Sequence, residues 1–182
     1  MRIERMGYGG AASDLALTRQ QLQMEPDEDD QIELITQMLD TATRELEEHA
    51  ALAVRTQTIR LRLDGWPEGG LIELPIGPVQ PDATFTVAAN GTPVEAADLL
   101  SGRRGALMLT HLVTEELLGA EVVVEYEAGF GPDVADVPAD IAQAVRDQVA
   151  AYYIQRGAPD RRETSSSAHM ARIAARYRGV RI

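Results

Sequence analysis

The spacing of apolar positions changes twice along the chain, from a helical period to a strand period and back. A long amphipathic helix is predicted from about residue 26 to about residue 53, because apolar residues recur within it at three- and four-residue steps. The stripe consists of Ile32, Ile35, Leu39, Ala42 and Leu46. A short helix is predicted before it, capped by Ser13 or Asp14 and ending near Gln23, because Pro26 then interrupts the pattern.

Strand periodicity begins after this helix. Apolar and polar residues alternate strictly from Thr58 to Leu63, which is typical of a half-buried strand. Further short strands are predicted over 71–74, 84–88, 106–110 and 121–128, and Asn90-Gly91 is a strong hairpin signal. Together these segments predict an antiparallel β insertion over about residues 56–128. Trp66 lies in a turn of this insertion, and its large ring is expected to be substantially buried.

Helical periodicity returns after Pro132. One helix is predicted with Ile141, Val145, Val149 and Tyr152 on one face. A last helix, capped by Ser166 or Ser167, has an apolar side and an arginine side. Helices, then strands, then helices indicate an α+β fold: a helical core with a long N-terminal helix, an antiparallel β insertion and C-terminal helices.

Composition divides the chain into three segments. Gly7, Gly9 and Gly10 predict a flexible N-terminal arm over residues 1–12. Residues 13–157 form the predicted core, which includes the β insertion. Residues 158–182 form a basic C-terminal segment.

Charge separates the front of the chain from its end. The formal net charge is −12, from 29 acidic and 17 basic residues, which argues against a general nucleic-acid binder because such proteins neutralise phosphates. Residues 25–48 carry ten acids and one arginine, whereas residues 156–182 carry seven arginines and two acids. This asymmetry predicts two contact surfaces that face different partners.

The residues that usually carry chemistry are absent or scattered. The chain has no cysteine and no lysine, which excludes thiol nucleophiles, zinc–thiolate sites and Schiff-base chemistry. His49, His111 and His169 lie far apart, and the acids of 27–30 lack calcium-loop spacing. Glu125 and Glu127 share a strand face without a second pair, and 165–167 indicates a linker or cap. We therefore predict no enzymatic activity, no catalytic residue, no cofactor and no metal site.

The clearest positive feature is a cluster of arginines near the end of the chain. Its members are Arg161, Arg162, Arg172, Arg176, Arg178 and Arg181. Three interpretations remain open: contact with DNA phosphates, docking on an acidic protein surface by bidentate pairs, or a solvated helix face.

Several short pieces occur in a characteristic order over residues 13–182. They are Leu15-Ala16-Leu17 with Leu22, the acids of 27–30, the helix 32–46, the stretch 56–67, 72–75, 77–79, 123–131, 137–141, Tyr152-Tyr153 with Arg156, and Tyr177-Arg178 with Arg181. In order and spacing, the chain resembles the head–tail connector, or adaptor, proteins of long-tailed phages and phage-like gene transfer agents. The glycine-rich start has no counterpart in this resemblance.

The resemblance implies a structural role in a virion or gene transfer agent particle neck, for a protein made in the bacterial cytoplasm. Such proteins form a ring, usually of twelve subunits, beneath the portal protein. The ring joins the portal to stopper and tail proteins, and DNA passes through its lumen without sequence-specific binding and leaves through it on ejection. No membrane contact is implied. The alternative function is a DNA-binding packaging accessory that uses the C-terminal arginines.

Within this resemblance, the basic C-terminal segment is the candidate portal-docking site. The apolar stripe of the last helix is too short to hold a helix alone, so we expect it to order by entering a groove of the portal. The arginines would then pair with acidic groups at the rim of that groove. The predicted docking residues are Met170, Arg172, Ile173, Arg176, Tyr177, Arg178 and Arg181.

Overall fold

The computed structural model describes residues 1–24, 31–94, 97–101, 105–109, 119–156 and 166–178. Contacts divide the chain into two compact units. Unit 1 combines Met1–Gly9 with Thr56–Phe130, and unit 2 combines Gly10–Arg55 with Gly131–Ile182. The predicted β insertion falls within unit 1, and all four helices fall within unit 2.

Unit 1 contains eight strands in its described residues: β1 (Arg2–Met6), β2 (Gln57–Leu63), β3 (Leu71–Glu73), β4 (Phe85–Ala89), β5 (Thr92–Pro93), β6 (Ala97–Leu100), β7 (Ala106–Leu109) and β8 (Val122–Ala128). They form two antiparallel sheets. One has the order β1-β2-β8-β4-β5, and the other has the order β3-β7-β6.

The alternation in the sequence decides which side of the five-stranded sheet is buried. Ile59 and Leu61 of β2 face the core with Val122, Val124 and Tyr126 of β8, and all five are 0–1% exposed. Asn90 and Gly91 have positive φ angles of 48° and 80° and join β4 to β5 in a two-residue hairpin, as predicted. Trp66 is half-buried, and its indole Nε1 is buried without a hydrogen-bond partner among the described residues.

Strand β1 lies in the segment expected to be a flexible arm. Residues 2–6 pair with β2, with Arg2 opposite Arg62 and Met6 opposite Thr58. The structure therefore differs from the expectation for these five residues. Backbone pairing explains the difference, because a strand edge such as that of β2 satisfies the N–H and C=O groups of an added segment whatever its side chains.

Unit 2 contains four helices in its described residues: α1 (Leu15–Gln21), α2 (Ile32–Ala50), α3 (Ala139–Gln155) and α4 (Ala168–Tyr177). Asp14 caps α1 as predicted, because its Oδ1 accepts a hydrogen bond of 2.6 Å from the backbone N–H of Ala16. The stripe of α2 is buried at Ile35, Leu39, Ala42 and Leu46. The predicted start of this long helix at 26–30 lies outside the described residues. The combination of helices with antiparallel sheets confirms the α+β fold class.

Candidate functional site

Helix α4 carries most of the predicted docking residues, and its apolar side is buried inside unit 2. Met170 is 0% exposed, and Ile173 is 4% exposed. The helix packs against α2 and α3, and Ser167 caps its start by accepting a 3.1 Å hydrogen bond from the backbone N–H of Met170. The expectation of an apolar stripe that waits for a partner groove is therefore wrong in this structure. The apolar faces of α2 and α3 already form the groove.

The arginine side of α4 is exposed. Arg172 and Arg178 lie at the surface. The Arg176 Nη1 donates a 3.0 Å hydrogen bond to Oδ2 of Asp140 at the start of α3, although its side chain stays 65% exposed. The hydroxyl of Tyr177 donates to the same carboxylate at 3.0 Å. Arg161, Arg162 and Arg181 lie outside the described residues.

Asp147 of α3 is the centre of a polar cluster that ties α4 and α1 to α3. Its Oδ2 lies 2.5 Å from the His169 Nδ1 of α4. Its Oδ1 accepts hydrogen bonds from Gln21 Nε2 at 2.7 Å and from Gln143 Nε2 at 2.8 Å. Burial raises the pKa of Asp147, but these three hydrogen bonds outweigh burial and hold the pKa below its ordinary value of 3.8. The ionised carboxylate is thus the form that the fold prefers.

The Asp147→Asn variant should lose more stability at about pH 7 than at about pH 3. Because the folded-state pKa lies below 3.8, ionised Asp147 stabilises the fold above that pH, and the contribution disappears as the pH falls through the folded-state value. Urea unfolding of both proteins at the two pH values measures the difference. In a His169→Ala background, the stability lost through Asp147→Asn should differ less between the two pH values. An equal loss at both pH values would contradict the assignment.

A second carboxylate ties the start of α4 to α2. Glu45 accepts a 2.5 Å hydrogen bond from the Tyr152 hydroxyl and another from the Ser166 hydroxyl. Burial and the bond to Glu45 raise the pKa of Tyr152 to about 12. His49 Nδ1 lies 3.3 Å from the Ser166 Oγ. In a serine–histidine–acid triad, the carboxylate orients the histidine. Here Glu45 binds the serine itself, so the arrangement serves as an anchor for α4.

The remaining candidates from the sequence form no chemical site in the described part of the chain. His111, the acids of 27–30 and Ser165 lie outside it. No group of three or more histidine, aspartate or glutamate side chains there is placed to hold a metal ion. Glu125 binds Arg60 at 2.6 Å, and Glu127 accepts a hydrogen bond from the backbone N–H of Thr84 at 3.3 Å.

In the part of the chain that the structure describes, no helix is both long and apolar enough to cross a membrane.

Sequence reasoning missed the two anchoring carboxylates, Glu45 and Asp147. Each lies on a helix and makes at least one contact to a residue far away in the sequence: Ser166 is 121 positions from Glu45, and Gln21 is 126 positions from Asp147. Spacing along the chain carries no signal of such pairs. Only the packing of α1 on α3, and of α4 on α2 and α3, brings such partners together.

No protein-family model matches this chain, and no curated protein matches it. Several solved structures match the chain over its full length. Together with the α+β fold, these matches support a virion structural protein.

The matched structures are particles and necks of gene transfer agents. The chain is similar to one in "Virion of native gene transfer agent (GTA) particle", with 28% identity and a TM-score of 0.77, over 100% of this chain and 97% of that one. It is similar to a chain in "Neck of empty GTA particle computed with C6 symmetry", with 26% identity, a TM-score of 0.77 and the same coverage. A chain in "Neck of native GTA particle computed with C12 symmetry" has 26% identity, a TM-score of 0.76 and again the same coverage. These matches support a structural protein of a particle neck.

Proposed function

We propose that this chain is the adaptor subunit of a neck of the gene transfer agent type, repeated in a ring between a portal and the stopper or tail proteins. The observation that carries the proposal is the similarity over the whole chain to a chain of a neck computed with twelve-fold symmetry. Closed cyclic symmetry is the usual outcome when identical subunits repeat one contact. The order of sequence pieces that resembles connector proteins supports the same role independently.

The charge of the chain suits a ring through which DNA passes. Each copy has a formal net charge of −12. Twelve copies would surround the lumen with negative charge, which would repel the phosphate backbone and let DNA slide during ejection. The proposed mechanism is therefore geometric and electrostatic, with no chemical step.

The arginine side of α4 remains the proposed portal contact, in a modified form. Because Met170 and Ile173 are buried within unit 2, their role would be to hold α4 in place. The exposed residues Arg172, Arg176 and Arg178, with Arg181 beyond the described residues, would then pair with acidic groups of the portal. A folded helix loses less conformational entropy on docking than a segment that orders on binding.

The test is removal of the chain from cells that produce the particles. We expect heads that contain DNA but lack tails, with loss of DNA delivery, and restoration of both by the wild-type chain. Cryo-electron microscopy of the restored particles should place the chain in the neck ring.

The alternative, a packaging accessory, makes different predictions for the same experiment. Heads would then be empty of DNA. The purified chain would also bind duplex DNA with an affinity that falls steeply between about 50 and about 200 mM salt. Normal tailed particles without the chain would refute both functions.

A further inference from the structure

The described part of unit 1 has an open sheet edge at β1. This strand pairs with β2 on one side and stands at the end of the five-stranded sheet. The opposite end is the two-residue strand β5, which finishes at Pro93 and is a poor template for pairing because proline lacks an N–H group. On β1, Ile3 and Met6 are 39% and 44% exposed. An edge of this length with exposed apolar side chains favours association with another chain.

The three-stranded sheet of unit 1 has one covered face and one uncovered face. Ile72 and Leu107 face inward and are 3% and 0% exposed. On the other face, Leu71 lies opposite Met108 and Leu100 lies opposite Ala106. Leu71, Leu100 and Met108 are 42%, 51% and 36% exposed. Clustered apolar residues at the surface of a folded chain mark interaction sites.

These two surfaces carry opposite charges. The edge patch, which we define as Ile3 and Met6 with the charged residues Arg2, Glu4 and Arg5, has two arginines and one acid and therefore a net formal charge of +1. The Arg2 side chain is 77% exposed even though its Nε lies 3.1 Å from Glu4. The face patch, which we define as Leu71, Leu100 and Met108 with Glu73 and Asp98, has two acids. Strands β3, β6 and β7 contain no basic residue.

We infer that the edge patch of one copy docks on the face patch of the next copy. Both patches combine exposed apolar side chains with charge, and the opposite signs favour this pairing over edge with edge or face with face. Because the two patches differ, the contact is heterologous, and a repeated heterologous contact closes into a ring when its rotation allows. The inference rests on the ring of the proposed function and identifies the surfaces that build it.

The absence of cysteine from the chain allows a direct test. The Met6→Cys and Leu100→Cys substitutions are combined in one chain, and Met6→Cys with Met108→Cys forms a second pair. The control double variant combines Met6→Cys with Ile154→Cys, since Ile154 is 79% exposed on α3. Purified proteins and purified particles are treated with a short bismaleimide crosslinker and separated by denaturing electrophoresis. Circular dichroism checks that each variant folds as the wild type does.

We expect a ladder of crosslinked species that extends beyond the dimer for at least one edge–face pair, and no such ladder for the single variants or the control. A dimer formed by Met6→Cys alone would overturn the inference, because it would show an edge–edge contact. Particles that contain the chain in a ring but give no edge–face crosslink would also overturn it and leave the proposed function intact. If particles lack the chain, the proposed function fails. The purified protein then tests the interface by itself: a ladder from an edge–face pair supports the inference, and the absence of a ladder overturns it.

Discussion

The Met170→Ala substitution is expected to lower the free energy of unfolding by about 2–5 kcal/mol. Met170 is 0% exposed, and α4 packs against both α2 and α3, so truncation leaves a cavity that the surrounding helices fill only in part. Urea unfolding followed by far-UV circular dichroism measures the change. Deletion of residues 168–182 removes Met170, Ile173 and Ala174 together and should destabilise unit 2 further.

Ile154→Ala is the matched control for this prediction. Ile154 also lies on a helix of unit 2 but is 79% exposed, so its truncation should change the free energy of unfolding by less than about 0.5 kcal/mol. If the Met170→Ala protein is as stable as the control, the sequence-based expectation is correct after all, and the C-terminal segment becomes ordered only when it binds a partner. That result would also remove the argument that α4 presents its arginines from a folded position.

The Tyr126→Phe substitution should destabilise unit 1 by about 2–4 kcal/mol although it removes a single oxygen. The Tyr126 hydroxyl donates to the carbonyl of Ile76 and accepts from its backbone N–H, both at 3.1 Å. Burial raises the pKa of Tyr126, so the hydroxyl stays protonated and keeps both bonds. Phenylalanine would leave two buried backbone groups of Ile76 without partners, which costs more than the bonds themselves.

Fluorescence of Trp66, the single tryptophan of the chain, reports on unit 1 during urea unfolding. Tyr153→Phe, followed by far-UV circular dichroism, provides the same chemical change at a less buried position of unit 2, where the hydroxyl donates to Gln31 Oε1 at 2.9 Å. We expect a loss below about 1 kcal/mol there, because water can replace the bond. Equal effects of the two substitutions would show that the Ile76 groups find other partners.

Elements with a clear local pattern agree with their predictions from sequence. The stripe of α2, the alternation in β2 and β8, the Asn90-Gly91 hairpin and the Asp14 cap all match the structure. Each depends on the period of apolar residues or on the backbone preference of one or two residues. Such signals act within a few positions of the chain, so a sequence shows them directly.

Elements that depend on distant partners were missed or misplaced. Strand β6 gave no signal, and β1 was read as part of a flexible arm because Gly7, Gly9 and Gly10 follow it. The division into two sheets also followed from no local feature. Strand pairing is made by backbone groups, which are the same at every residue, so the partner of an edge depends on the whole fold.

The sequence by itself determined where the helices and most of the strands lie, which of their faces are apolar, and that the chain lacks cysteine and lysine chemistry. Only the tertiary structure decided that the apolar side of α4 is covered by α2 and α3, and that Glu45 and Asp147 anchor that helix. The physical reason is the same in each case. A stripe of apolar residues shows that a face will be buried, but the surfaces that bury it lie on other elements, and one of them, α2, is more than a hundred residues away in the chain.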